Sequence, residues 1–332
     1  EKSPVDGIPV DMREPLYHLC LEYADGMVMR KGRRWIAFDP FMDPALRRPY
    51  PFENPAAASY PSRQIGKDLA KDKSVYLLGE LTWPEARTRF KQVDVALLPV
   101  GSIEQHGPHL PLDCDSFDAE YLAIKVAENC MDPKPLVFPL MPYGVSYHHE
   151  DFSGTISISP ETLSKLVYDI GMSAARHGVT KLVIINGHGG NSPALHFAAQ
   201  MINRDAHIFT CVDTGETSDP DVYSMAETPN DVHAGEIETS TSLATRPDLV
   251  RLKAAKKFVP KFSSRYLNFT SKRSVEWYAH TSKISQTGVL GDPTKANAEK
   301  GERIWDIMIK RLVEFVEDMK KLSLDEIYQK RY

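Results

Sequence analysis

The chain has 332 residues, 42% of them hydrophobic and 26% charged, with a formal net charge of −5. That length buries a full core as one large α/β domain or two smaller ones. The acidic balance argues against a general nucleic-acid binder, and no apolar run approaches the ~20 residues of a membrane span. The four cysteines, Cys20, Cys114, Cys130 and Cys211, form no Cys-x-x-Cys pair, which suits a reduced, cytoplasmic protein rather than a disulfide scaffold.

Residues 1–75 read as an N-terminal extension or arm, and residues 76–332 as the main domain. The arm is rich in proline (Pro40, Pro44, Pro49, Pro51, Pro55, Pro61). Within it, two short strands, Met27–Arg30 and Arg33–Phe38, are expected about a turn at Lys31-Gly32. From about residue 76 strand and helix alternate. Strands are expected at Val93–Val100, Pro135–Met141, Lys181–Asn186 and Ile208–Val212. Helices are expected at Ser116–Cys130, from Pro160 to His177, from Ser192 to Arg204, from near His233, and over Lys295–Leu322. This alternation predicts a central, mostly parallel sheet covered by helices on both faces, a three-layer α/β/α arrangement.

Four polar clusters punctuate that pattern. Gly101–Asp115 follows the first expected strand and carries Glu104, His106, His109, Asp113 and Asp115. Tyr147–Thr155 is a loop before a helix. Asn186-Gly187-His188-Gly189-Gly190-Asn191 follows the third strand. Asp231–Thr239 contains His233, Glu236 and Glu238. A parallel sheet places the first and third clusters on one edge, where α/β proteins bind ligands. A helix through the fourth would put His233 and Glu236 on one face. Carboxylates and imidazoles together suit Zn²⁺, Mn²⁺ or Fe²⁺. Two such ions with three carboxylates and two imidazoles carry a net charge of about +1, which a bridging hydroxide neutralises, giving a nucleophile at neutral pH. Asp115 is short enough to bridge two ions. His109, His177, His196 and His207 read as structural or solvated, and Cys114 as a small buried residue. Glu238 is equally compatible with supporting a ligand and with a helix surface.

The strings Gly-Ser-Ile-Glu-Gln-His-Gly-Pro-His-Leu-Pro-Leu before Asp115, Asn-Gly-His-Gly-Gly-Asn, and Gly288-Val-Leu-Gly-Asp-Pro-Thr-Lys-Ala resemble the creatininase (creatinine amidohydrolase) family over roughly residues 90–318. The resemblance implies one α/β domain, a two-metal site and a homohexamer. It implies that Glu104, Asp115 and His188 hold one ion, and that His106 and Asp115 hold the other with a further carboxylate. Creatininase proper supplies that carboxylate two residues after the histidine of the third cluster, a place taken here by Gly190. The resemblance of His233-Ala-Gly-Glu236 to other branches of the family implies that Glu236 supplies it instead. His233 matches the family's catalytic histidine.

Tyr147, His148, His149 and Phe152 resemble the family's His-x-x-Phe-x-Gly-Thr loop and, with Gly189, are expected to border the substrate. The aromatic residues that flank creatinine are replaced by Gly189 and, approximately, Pro229, which makes creatinine a poor candidate. The expectation is hydrolysis of a non-peptidic C–N amide bond, cyclic or formyl, with His233 protonating the leaving nitrogen. A metal-dependent peptidase or lactonase and a non-catalytic assembly subunit are the alternatives.

Overall fold

Two runs, Val95–Val100 (β3) and Lys181–Asn186 (β5), are buried along their whole lengths, the mark of strands covered on both faces. They pair in parallel with Val100 opposite Asn186, so their C-terminal ends coincide. In this computed structural model the described residues are 27–31, 34–38, 76–213, 220–267 and 277–329. The chain divides into two units, Glu1–Asp68 and Leu69–Tyr332. In the first, β1 (Met27–Lys31) and β2 (Arg34–Phe38) pair antiparallel, as the sequence predicts. The rest of the expected arm lies outside the described residues.

In the second unit, α1 (Trp83–Phe90) precedes β3. Then come α2 (Cys114–Asn129), β4 (Leu136–Val137), α3 (Pro160–Arg176), β5, α4 (Ser192–Ala206) and β6 (Phe209–Asp213). The four strands β3–β6 are parallel in the spatial order β4-β3-β5-β6. The chain moves outward from β3 to β4, then returns past β3 to β5 and β6. Right-handed crossovers in opposite directions place α2 on one face of the sheet and α3 and α4 on the other. This is the expected three-layer α/β/α sandwich. It leaves a crevice between the C-terminal ends of β3 and β5, where the winding reverses.

The strand at Pro135–Met141 is shorter than expected, because Pro139 and Pro142 have no N–H to give to a ladder. Only Leu136 and Val137 pair regularly with β3, although Phe138 and Met141 still donate to the carbonyls of Leu97 and Pro99. α2 begins two residues earlier than expected, which brings Asp115 into its first turn.

The helix expected from near His233 starts instead at Glu236, as α6 (Glu236–Thr245), after the short α5 (Pro220–Tyr223). His233 lies before it in an isolated bridge with Leu290. The delay has a local cause. Ala234 has φ +49, outside the helical region, and the Asp231 carboxylate accepts the N–H groups of Glu236 and Ile237 at 2.7 and 2.9 Å, which starts the helix there. His233 and Glu236 therefore share no helix face. The long α7 (Ala298–Lys321) packs on α6 and α2, starting from an Asn297 side chain that accepts from the Lys300 N–H, and a short α8 (Leu324–Tyr328) follows.

Candidate active site

Glu104 and His106 leave the end of β3, His188 leaves the end of β5, and Asp115 sits in the first turn of α2. All four are buried. Asp115 lies between two imidazoles, Oδ1 at 3.0 Å from His106 Nε2 and Oδ2 at 3.1 Å from His188 Nδ1. Glu104 Oε2 lies 3.2 Å from His188 Nε2. The loop before α6 brings in His233, whose Nδ1 is 3.6 Å from Glu104 Oε1. From α6 itself Glu238 approaches His106 Nε2 at 3.9 Å and His233 Nδ1 at 4.0 Å.

The orientation of each imidazole follows from what it touches. A carbonyl oxygen only accepts, so the ring nitrogen beside one carries a hydrogen. His106 Nδ1 donates to the Glu104 carbonyl (3.2 Å), His188 Nε2 to the Val145 carbonyl (2.9 Å) and His233 Nε2 to the Gln105 carbonyl (2.7 Å). In every case the other nitrogen faces the carboxylates. Ser146 donates to Glu104 Oε2 at 2.5 Å and lies 2.5 Å from Ser102 Oγ, which pins that carboxylate.

Electrostatics sharpen the picture. Burial pushes Glu104 and Glu238 each up to about 7, against the pull of neighbouring imidazoles. Burial also acts to raise Asp115, but His106 and His188 overcome it and hold the carboxylate well below its usual range. His188 is lowered by burial and raised more strongly by Glu104 and Asp115, to about 9. His233 is driven well below its usual value, first by burial and then by His106. Three carboxylates in so little volume call for compensating positive charge.

Divalent cations fit that demand. Glu104 Oε1, His106 Nε2 and Asp115 Oδ2 are buried atoms without a hydrogen-bond partner, which native proteins rarely leave unsatisfied. Three groups each offer donor atoms within 4.8 Å of one another: Glu104 with His106 and His233, Glu104 with His148 and His188, and His106 with Asp115 and Glu238. The outer ring of carbonyl and hydroxyl partners is the arrangement that orients metal-ligating side chains.

Glu236, expected as a ligand, is absent from these groups. Its oxygens accept from the N–H groups of Glu227 and Thr228, from Thr228 Oγ1 and from Lys300 Nζ. Residues two apart on a helix do not share a face, so Glu238 points inward while Glu236 points toward α7. Glu238, three residues after the N-cap Gly235, was the other acid the segment offered. The expectation for Glu236 rests on the His-Ala-Gly-Glu arrangement of other branches of the family, whereas the helix start at Glu236 turns that side chain toward Thr228 and Lys300.

A cleft of about 500 Å³ opens over the cluster. Of the residues expected to border the substrate, His148, His149 and Gly189 line it. Tyr147 and Phe152 do not, and Tyr147 is exposed. His149 Nδ1 accepts from Gln105 Nε2 at 2.8 Å, and its ring stacks on His233 at 4.2 Å. His148 stacks parallel on His188. A Cβ at Gly189 would meet nothing within 4 Å, whereas one at Gly190 would collide with the Val145 carbonyl and His188 Nε2. The aromatic wall thought lost reappears from an unanticipated segment, since Trp277 and Tyr278 line the cleft and Tyr278 meets His148 edge-on. Asp118, one turn beyond Asp115, lines it too.

A parallel α/β sandwich with buried carboxylates and imidazoles at its switch point defines a candidate metallohydrolase. The family model described as creatinine amidohydrolase matches residues 79–316. Mycofactocin precursor peptide peptidase of Mycolicibacterium smegmatis is 35% identical over 238 residues, spanning 68% of this chain and 85% of that protein. Creatinine amidohydrolase of Pseudomonas putida is 30% identical over 265 residues, spanning 74% and 97%. A solved creatininase variant of Zn-Zn type superposes with a TM-score of 0.63 at 29% identity, covering 75% of this chain and 99% of that one.

The chain belongs to the creatininase family. It is a creatininase-like amidohydrolase, a hydrolase of carbon–nitrogen bonds. Among the described residues no helix is long and apolar enough to cross a membrane.

Proposed function

We propose that the protein hydrolyses the C–N bond of a small non-peptidic amide, a lactam or a formamide, with two divalent ions, Zn, Mn or Fe. The observation carrying this reading is the set of buried, unpartnered donor atoms on Glu104, His106 and Asp115, of which Glu104 and Asp115 line the cleft. Glu104, His106, Asp115, His188 and Glu238 would hold the ions. Ions bound there supply Lewis acidity toward a carbonyl and bring the pKa of water toward ~7.

The chain's own groups handle binding and protons. His233 is kept neutral by burial, and its Nε2–H is committed to the Gln105 carbonyl. Nδ1 is thus the basic atom facing the cluster, placed to take a proton and return it to the departing nitrogen. His148, Trp277 and Tyr278 wall the cleft and exclude water from one side of a planar amide.

A second reading, peptide hydrolysis at the same site, is favoured by the 35% identity to the mycobacterial peptidase. The test is metal content by mass spectrometry together with a panel of lactams, formamides and short peptides. Close to two ions per chain and turnover confined to the lactams and formamides are expected. Turnover confined to peptides would transfer the function to the second reading. Loss of ions in His233→Ala would make His233 a ligand instead of the proton carrier.

The remaining parts of the proposal are a cytoplasmic homo-oligomer, a hexamer by family resemblance, and a division into an extension over 1–75 and a hydrolase domain over 76–332. The exposed side chains of Leu166 and Phe197 on α3 and α4 give such an assembly apolar surface to bury. Light scattering in solution measures it.

A further inference from the structure

We propose that Asp118 orients the substrate, its carboxyl accepting a hydrogen bond from the N–H of the amide whose carbonyl faces the Glu104–His106–Asp115 cluster. This inference rests on the amide-hydrolase reading above.

Asp118 lies on α2 three residues after Asp115, so both side chains leave the same face, with Cβ atoms about 5–6 Å apart. It lines the cleft beside Glu104, Asp115 and Glu238. Its Oδ1 is buried with no hydrogen-bond partner. Arg246 is near enough to act on it electrostatically; it donates from Nη1 to Asp113 at 2.8 Å and lies over the Phe117 ring at 3.9 Å, while its Nε and Nη2 are buried without a hydrogen-bond partner. Leaving such an oxygen unsatisfied costs about 1–3 kcal/mol, and because Asp118 lines the cleft, a ligand there can bring a donor to its carboxyl in competition with Arg246.

The chemistry of an amide selects which end Asp118 meets. The carbonyl oxygen is an acceptor, and the cluster holds the atoms suited to cations that would polarise it. The N–H is the only donor of a simple secondary amide, and a carboxyl oxygen accepts from it whether or not the acid is ionised. Asp115, Glu238, Arg246 and His106 all lie near enough to Asp118 to act on it electrostatically. An amide held at both ends would present one face to the cluster and its nitrogen toward the Asp118 wall. The substrate class that follows is a primary or secondary amide, with tertiary amides disfavoured.

The test compares matched probes on the metal-loaded protein: pyrrolidin-2-one against N-methylpyrrolidin-2-one, and formanilide against N-methylformanilide. Wild type, Asp118→Asn and Asp118→Ala are assayed for kcat/KM, with bound metal counted on each. The expected result is that wild type favours the N–H member of a pair. Asp118→Ala should lose at least about tenfold on that member, as expected for one hydrogen bond to a carboxylate, and little on the N-methyl member. Both variants should keep the wild-type metal content.

Equal losses on both members, or loss of metal in both variants, would overturn the assignment and make Asp118 a support for Asp115. An unchanged preference in both variants would also overturn it, leaving Asp118 paired with Arg246 through an enclosed water. If wild type binds metal but hydrolyses neither pair, the small-amide reading fails, and this inference fails with it.

Discussion

Glu236 and Glu238 stand two residues apart on α6 and meet opposite surroundings: Glu236 is fully buried against Lys300 and Thr228, while Glu238 faces His106 and His233. One acid ties the helix to α7, and the other faces the candidate metal site. Their replacements should therefore fail in different ways. Glu236→Gln should keep its metal and lose about 3 kcal/mol of stability, as expected when one partner of a buried pair is removed. Glu238→Gln should bind fewer ions and, compared with the wild type in the metal-free state, should match it in stability. Urea unfolding and metal analysis on both variants read the two effects separately, and the reverse pattern would return Glu236 to the ligand set.

Ser146 pins Glu104 from behind without reaching into the cleft. Ser146→Ala should weaken metal binding roughly 10–100-fold, the usual size of a loss in the outer hydrogen-bonding ring. A competition titration with a chromophoric chelator measures it. Unchanged affinity would show that Glu104 needs no brace.

Chelation should destabilise the protein, because ions that bind only the folded state stabilise it by mass action. At free metal one hundred times the dissociation constant the gain is about 2.7 kcal/mol, or roughly 5–10 °C in Tm for a domain of this size. Differential scanning fluorimetry with and without chelator, followed by metal add-back, tests this. A Tm indifferent to both would argue against any resident ion.

Gly190 occupies the position that carries a carboxylate in creatininase proper, yet restoring that acid should not restore a ligand. A Cβ there would strike the Val145 carbonyl and the His188 ring, breaking the hydrogen bond that orients the imidazole. Gly190→Glu should therefore bind less metal than wild type, whereas Gly189→Ala, which points into open space, should bind as much. Metal content of the purified variants decides the matter.

The described cysteines should be silent to alkylation. Burial raises Cys130 and Cys211 each to about 12 and Cys114 well above its usual value. Thiolate is the reactive form, and a raised pKa keeps it scarce as pH climbs from 7 to 9. Iodoacetamide at pH 8.5 should leave all three unmodified until the protein is unfolded, as peptide mapping would report. Rapid labelling of Cys114 in the folded protein would reopen a nucleophilic role for it.

The parallel sheet and most helices were readable because hydrophobic runs and caps are local signals. Lys181–Asn186 is apolar through its middle and emerges as a strand with those bounds, and Ser159-Pro160 starts its helix as written. That Glu104, His106, Asp115 and His188 come together was equally readable, because they sit immediately after strands or at a helix start, where local sequence fixes direction. What escaped notice depended on long-range placement. The start of α6 hinges on Asp231 folding back onto backbone N–H groups, which decides whether Glu236 or Glu238 faces inward. Trp277 and Tyr278 reach the cleft from a stretch with little secondary structure of its own. Asp118 carries no local signal of its own, because only the folded chain shows that its face of α2 meets the cleft.

Three imidazoles here take their orientation from main-chain carbonyls of Glu104, Gln105 and Val145, and peptide groups are the one part of a protein that substitution does not replace. The cluster's geometry is thus inherited with the path of the backbone, while the rim, built from side chains such as His148, Trp277 and Tyr278, is free to drift. A lineage with this scaffold keeps its reactive centre while exchanging one substrate for another. The same scaffold is accordingly a sound starting point for altering specificity by changing the rim alone.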